Sequence, residues 1–364
     1  MRKKLTGLNF VRAAACMGVF TFHCYISLLG AWAVSVFVIL SGFLLVYNGL
    51  DRVDSFPRDI KGCAKYSFNK IKKLYPLYAI TLVILIVRIF LLAPENPPRD
   101  ELVLFAKQFL FDFLLIQSWL MSTEWAFAHN GVGWYLSTCV LLYFAFPYIL
   151  RWIKAHNGIK SALKSILVIA ILMVVTQFLA TELYCRITGM ERGASGSFQH
   201  WFSYIFPIYR LGDFAIGGLL GYIFTLTPVE KISRTGATAI EFLSIVLVVI
   251  SQALFRSTLL PTGISYNLLF VPANSLLVFS FALRQGAISQ VLDCRLSNLV
   301  ADYSVEIFLI HFAVIKYASP FATILPIPFA LQQWSFLFFA LIATFVSVYL
   351  YRRLSRRIPF LSVR

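Results

Sequence analysis

Ten apolar runs, each long enough to cross a bilayer, leave this 364-residue chain little room to be anything but a bundle of membrane helices. They occupy 8–29, 31–48, 77–93, 132–150, 163–181, 209–226, 237–255, 266–283, 300–318 and 329–350. A hydrocarbon core about 30 Å thick takes about 20 apolar residues of helix. Backbone groups inside it must be satisfied within the protein, which favours helices. The connectors are short, and only 13% of residues are charged, against roughly 25% in a soluble domain. The fold class expected is therefore all-α: a polytopic helical bundle forming a single membrane domain over 1–350, with a basic tail over 351–364.

An eleventh run, 104–121, is weaker because it holds Lys107 and Asp112. Lysine and arginine concentrate in cytoplasmic loops, and this bias decides the topology. With the N-terminus inside and 104–121 not crossing, 23 of the 32 basic residues fall on the cytoplasmic side and six outside. The remaining three, Arg12, Arg88 and Lys316, lie within spans. The expectation is ten spans, both termini cytoplasmic, and 104–121 re-entrant or interfacial. The net charge of +16 then orients the protein in a lipid bilayer and does not signal nucleic acid, because the basic residues flank apolar runs. Ala31-Trp32-Ala33 resembles a leader-cleavage site, but Arg12 interrupts the preceding apolar stretch, so cleavage is not expected. The six cysteines form no Cys-x-x-Cys pair, and Cys185 alone falls in an expected external loop. Neither a zinc site nor an external disulfide is expected.

Two ionisable residues sit inside the first run. Arg12 and His23 are eleven residues apart, close to three helical turns, so both fall within about 20° of one helix face and about 16 Å apart along the axis. Intramembrane ionisable groups are costly and mark functional sites. His23 fits a general base for a hydroxyl, and it fits equally a histidine hydrogen-bonded between packed helices. Arg12 fits a phosphate clamp or a snorkelling interfacial residue. Lys70, Lys72 and Lys73 extend the basic character just before Tyr75-Pro76. His311 is a second buried histidine, and Glu306, five residues earlier, does not share its face. Arg210 and Asp213 at i,i+3 read as an interfacial ion pair, and Ser41-Gly42-Phe43 as close helix packing.

Taken in order, these segments resemble the acyltransferase 3 family of integral membrane acyltransferases. Arg12, ten residues and His23 are similar to the family's Arg-X10-His motif. Phe37 through Phe43 is similar to Phe-Phe-x-Leu-Ser-Gly-Phe, and Lys73-Leu-Tyr-Pro to Arg-Ile-Tyr-Pro. Trp134-Tyr135-Leu136-Ser137 is similar to Trp-Tyr/Phe-Leu-Ser. Ser304 through His311 is similar to Ser-Tyr-x-Ile-Tyr-Leu-x-His. Lys73, Val305 and Phe308 depart from the pattern, and the external hydrolase-like domain of some members has no counterpart in these residues.

The resemblance implies a multi-pass protein of a bacterial cytoplasmic membrane. It would move an acyl group, usually acetyl, from cytoplasmic acetyl-CoA or another short acyl-CoA to a hydroxyl of a surface glycan or lipid-linked sugar, without a metal. It implies His23 as base, with Ser41, Tyr135 or Ser137 donating to the oxyanion and His311 as a further catalytic candidate. Arg12, Lys70, Lys72 and Lys73 would hold the donor's phosphates. A covalent acetyl-histidine is the competing mechanism. A buried Arg88 or Lys316 would suit a succinyl donor. The rival class is a transporter or flippase of a lipid-linked glycan with His23 as proton relay. No Asp-Asp-x-x-Asp cluster is present to support prenyl-pyrophosphate chemistry.

Overall fold

The computed structural model describes residues 4–94, 97–322 and 329–358. Its helices are α1 (Gly7–His23), α2 (Gly30–Gly49), α3 (Ile60–Ile71), α4 (Tyr75–Leu92), α5 (Arg99–Phe113), α6 (Thr123–Ala126), α7 (Gly133–Lys154) and α8 (Gly158–Thr188). They continue with α9 (Gly196–His200), α10 (Pro207–Leu226), α11 (Arg234–Ser257), α12 (Val271–Leu283), α13 (Ala287–Leu292), α14 (Arg295–Ala322) and α15 (Phe329–Ser355). No strand occurs among the described residues. Local chemistry sets several boundaries. Pro76, Pro207 and Pro272 open α4, α10 and α12, where a missing N–H costs nothing. Asp59 and Ser233 cap α3 and α11. Gly189, at φ 69°, ends α8 in the left-handed conformation that glycine adopts freely.

Among the described residues, eight helices are long and apolar enough to cross a membrane; they contain α2, α4, α7, α8, α11, α12, α14 and α15. The other two expected spans are also helices but fall short of that standard. α1 has only 17 residues, and α10 carries Arg210, Asp213 and four glycines. The first expected span, 8–29, stops early because Tyr25 takes φ 60° and turns the chain out of the helix. His23 is thus the last residue of α1. α8 runs on to Thr188, so Cys185 is helical and buried, and all six cysteines are free. α15 continues to Ser355, so 351–355 form its last turn and are not tail. There Arg352 Nε donates to Glu306 at 2.7 Å.

The segment expected to turn back does so beside α4. α5 runs antiparallel to it, with Phe105 against Phe90 and the Asp112 and Phe113 carbonyls accepting from Tyr78 and Tyr75. A turn at Leu115, φ 57°, reverses the chain, and Asn130 then donates to Thr81 on the same helix. With 15 residues α5 rises about 22 Å, short of a bilayer core. Asp112 and His129, both buried, are joined at 2.8 Å and pin the two limbs together.

Two packings position the site. α1 and α14 run parallel in a seven-residue register: Asn9 donates to Asn298, the Cys16 thiol to the Ser304 carbonyl at 3.7 Å, and the His23 and His311 rings meet at 2.8 Å. α2 and α10 touch backbone to backbone. A methyl group at Gly42 would overlap the Phe214 carbonyl oxygen, and one at Gly217 the Ile39 carbonyl oxygen. Arg210 and Asp213 do pair, at 2.9 Å, but in the fully buried interior and not at the interface as expected. Asn267 Nδ2 donates to the other Asp213 oxygen at 2.9 Å, so the α10 pair is tied to the segment before α12.

Because Gly217 has no room for a side chain, Gly217→Ala is expected to lower stability by about 1–3 kcal/mol. Thermal unfolding in detergent measures this. Gly193→Ala, where a methyl group meets nothing within 4 Å, is expected to be neutral.

Candidate active site

The residues singled out by sequence gather around two cavities lying in line along α1 and α14. The first, about 320 Å³, is on the side of the bundle that carries Lys70. Arg12, Ser41, Tyr135 and Lys70 line it, with Tyr143 and Ser304. It continues into a more open space of about 500 Å³ lined by Arg52, Asn48 and Lys70, which forms its mouth. The second, about 410 Å³, lies toward the opposite end of α14 and holds His23, His200, Trp134, Tyr204, Phe312 and Lys316. Phe308 lines both cavities and stands between them. Its ring packs against Tyr135 at 5.3 Å, Phe37 at 6.1 Å and His311 at 6.1 Å.

The basic cavity collects uncommitted cations. Arg12 is half-buried, with Asp302, Tyr143 and Tyr135 as its ionisable neighbours, and no carboxylate lies within 4.0 Å of it among the described residues. Burial, then Lys73, then Arg52 pull the Lys70 ammonium below its ordinary value. An anion arriving there would be favoured by relieving that repulsion. Lys72 and Lys73 themselves are exposed at the α3–α4 junction and line neither cavity. Arg52, from the turn after α2, takes their place at the mouth.

The two histidines form a directional pair. His311 is 1% exposed, and its Nδ1 meets the Ile307 carbonyl oxygen at 2.9 Å. A carbonyl only accepts, so His311 Nδ1 carries the proton and Nε2 is left as an acceptor. His23 Nδ1 therefore donates across the 2.8 Å contact to His311 Nε2. That leaves the lone pair of the neutral ring on His23 Nε2. This atom has no hydrogen-bond partner among the described residues, on a ring that lines the second cavity. Phe22 and Phe312 pack edge-on against the His23 ring, each at 5.2 Å, and hold its plane.

Ser41 and Tyr135 lie side by side on the basic cavity, next to Phe308. Ser137 is not with them. It is fully buried on another face of α7, donating to the Leu115 carbonyl at 2.6 Å, and lines neither cavity. Two residues on a helix differ by about 200°, so Tyr135 and Ser137 cannot both face one chamber. Ser137 instead fastens the turn that reverses the re-entrant segment.

This arrangement meets its counterpart in sequence comparison. A family model for an acyltransferase domain, acyltransferase 3, matches residues 5–353. The chain belongs to that family. It is also 26% identical over 347 residues to the acyltransferase MdmB of Streptomyces mycarofaciens, covering 86% of this chain and 80% of that protein. No solved structure matches the chain. The protein is thus a membrane acyltransferase of the acyltransferase 3 family, and the paired histidines and cationic cavity lie within the matched region.

Since Ser137 is a fastener, Ser137→Ala is expected to cost about 1 kcal/mol of stability while leaving turnover within about twofold. Unfolding and acyl-transfer rates on the same preparation check both halves.

Proposed function

We propose that this acyltransferase moves an acetyl group from acetyl-CoA, entering through the basic mouth, to a hydroxyl held in the second cavity. The observation that carries this reading is the histidine pair, which presents a free imidazole nitrogen on a ring lining the second of two adjoining chambers of different character. The basic side is taken as cytoplasmic, in line with the distribution of lysine and arginine. Coenzyme A is a polyanion on a long thin arm. Arg12, Lys70 and Arg52 suit its phosphates, and the narrow, mostly apolar cavity beyond them suits the arm. The acceptor is a sugar hydroxyl of a glycan or lipid-linked sugar, and aromatic walls such as Trp134 and Tyr204 suit the apolar faces of a sugar ring.

In this mechanism His23 Nε2 takes the acceptor's hydroxyl proton as the oxygen attacks the thioester carbon. The charge then on the His23 ring is shared through Nδ1–H with His311, whose own proton stays on Nδ1 against Ile307. The carboxyl end of α1, with its negative dipole, lies beside that charge. Ser41 or Tyr135 donates a hydrogen bond to the oxyanion. Collapse breaks the carbon–sulfur bond, and the His23 proton passes to the departing thiolate. The ester oxygen comes from the acceptor, so no water is consumed, and the thiol leaves as free coenzyme A.

Membranes holding the protein, incubated with acyl-labelled acetyl-CoA and a cell-envelope glycan extract, should move label into glycan. His23→Ala is expected to lower that rate by about 10²–10⁴-fold. His311→Ala should lower it less, because it removes only the partner that orients and relieves the base. Full turnover in His23→Ala would overturn the mechanism. Label held on the protein in the absence of acceptor would instead favour an acetyl-histidine. Arg12→Ala is expected to raise KM for acetyl-CoA more than it lowers kcat, measured by varying acetyl-CoA at saturating acceptor.

A further inference from the structure

Resting on the reading of the second cavity as the acceptor's seat, we propose that Lys316 makes that seat selective for an anionic acceptor: an alcohol bearing a carboxylate or phosphate close to the hydroxyl that is acylated. Lys316 lies five residues beyond His311 on α14, and its side chain lines the same cavity as His23. The ammonium nitrogen sits 5.2 Å from the centre of the Phe312 ring, and the His23 ring sits 5.2 Å from that same centre. Base and cation are therefore no farther apart than about 10 Å, within the reach of one substituted sugar ring.

The charges around the cavity agree. No aspartate or glutamate lines it. Among the described residues no carboxylate comes within 4.0 Å of Lys316. Lys316 is half-buried on a mostly apolar cavity, where a cation without a counter-ion is unfavourable, and the face of Phe312 offsets only part of the cost. A bound anion would supply the rest. His200 adds a second polar contact: its ring lies tilted against Tyr266 at 4.0 Å, and its buried Nε2 has no hydrogen-bond partner. A snorkelling lysine extends away from the bundle toward water. Lys316 instead folds over Phe312 and faces inward.

The same placement favours a role toward the acceptor over one toward a dicarboxylic acyl group on the donor. α14 passes Ser304 and Val305 in the basic cavity, Phe308 at the divide, and Phe312 and Lys316 beyond it. An acyl group arriving from the basic side meets Phe308 and His23 first. Lys316 stands on the acceptor's side of the base.

The test is equilibrium binding to the purified full chain in detergent, with no acyl-CoA present. The probes are p-nitrophenyl β-glucuronide, p-nitrophenyl β-glucoside 6-phosphate and the neutral p-nitrophenyl β-glucoside. At least one charged probe is expected to bind at least about tenfold more tightly than the neutral one. Lys316→Gln should abolish that difference while leaving neutral-probe affinity unchanged, and Lys316→Arg should keep it. Which charged probe wins tells a carboxylate-bearing acceptor from a phosphorylated one. Equal binding of all three, a preference that survives Lys316→Gln, or no binding of either charged probe at millimolar concentration would each overturn the proposal. The assay needs no acyl transfer. Charge-selective binding without transfer would count against the transferase mechanism alone, and transfer without charge preference against Lys316 alone.

Discussion

The site depends on the register between α1 and α14. The two helices are separated by most of the chain yet run parallel, and they touch through side chains spaced seven residues apart on α1. A slip of one residue would rotate His311 by about 100° and break its contact with His23. What prevents the slip lies at the other end. Thr6 donates to Asp293, Asp293 is paired with Arg284 at 2.7 Å, and Asn9 donates to Asn298. This polar clamp stands about 21 Å from the histidines along α1. The alignment of the two histidines is thus held from the basic end of the bundle, by residues that touch neither cavity.

Around that axis the chemistry is divided by place. Cations and four hydroxyl-bearing side chains line one chamber, while imidazoles, aromatic rings and a single lysine line the other. Both chambers are walled largely by apolar side chains, so each charge acts with little competition from water. The division needs rigid walls. The glycine contacts of α2 with α10 provide one, because backbones in contact cannot slide without overlap. The turn fastened by Ser137 and the Asp112–His129 pair provide another, since that segment leads directly into Trp134 and Tyr135.

Much of this was legible in the sequence. The helical class and the turning back of 104–121 against α4 follow from apolar run length and charge bias, and helical period places Arg12 and His23 on the side of α1 that meets the two cavities. Of the two expected spans that fall short of the apolar standard, α1 does so by ending at His23, and α10 because the Arg210–Asp213 pair and its glycines dilute the apolar signal. The partner of His311 was not legible. A search along its own helix found only Glu306 on another face, and the true partner lies 288 residues away. Ser137 could have been set aside from helical geometry, because a four-residue motif cannot turn every side chain toward one cavity. The places of Phe308 and Arg52, and the cavity that Lys316 lines, were not legible, because lining a cavity is a property of packing that no spacing encodes.

Phe308 carries a consequence of another kind. One aromatic ring stands between a chamber reached from the basic mouth and a chamber facing the far end of the helices. A protein that passes a chemical group through such a divide is also a potential ion leak. Any swing of the ring wide enough to admit a thioester opens a gap that hydrated protons could enter. If the proposed transfer crosses this divide, the same side chain would stand in the path of both the acyl group and any leaking ion, and turnover would have to displace the ring only when substrate already fills the space it leaves.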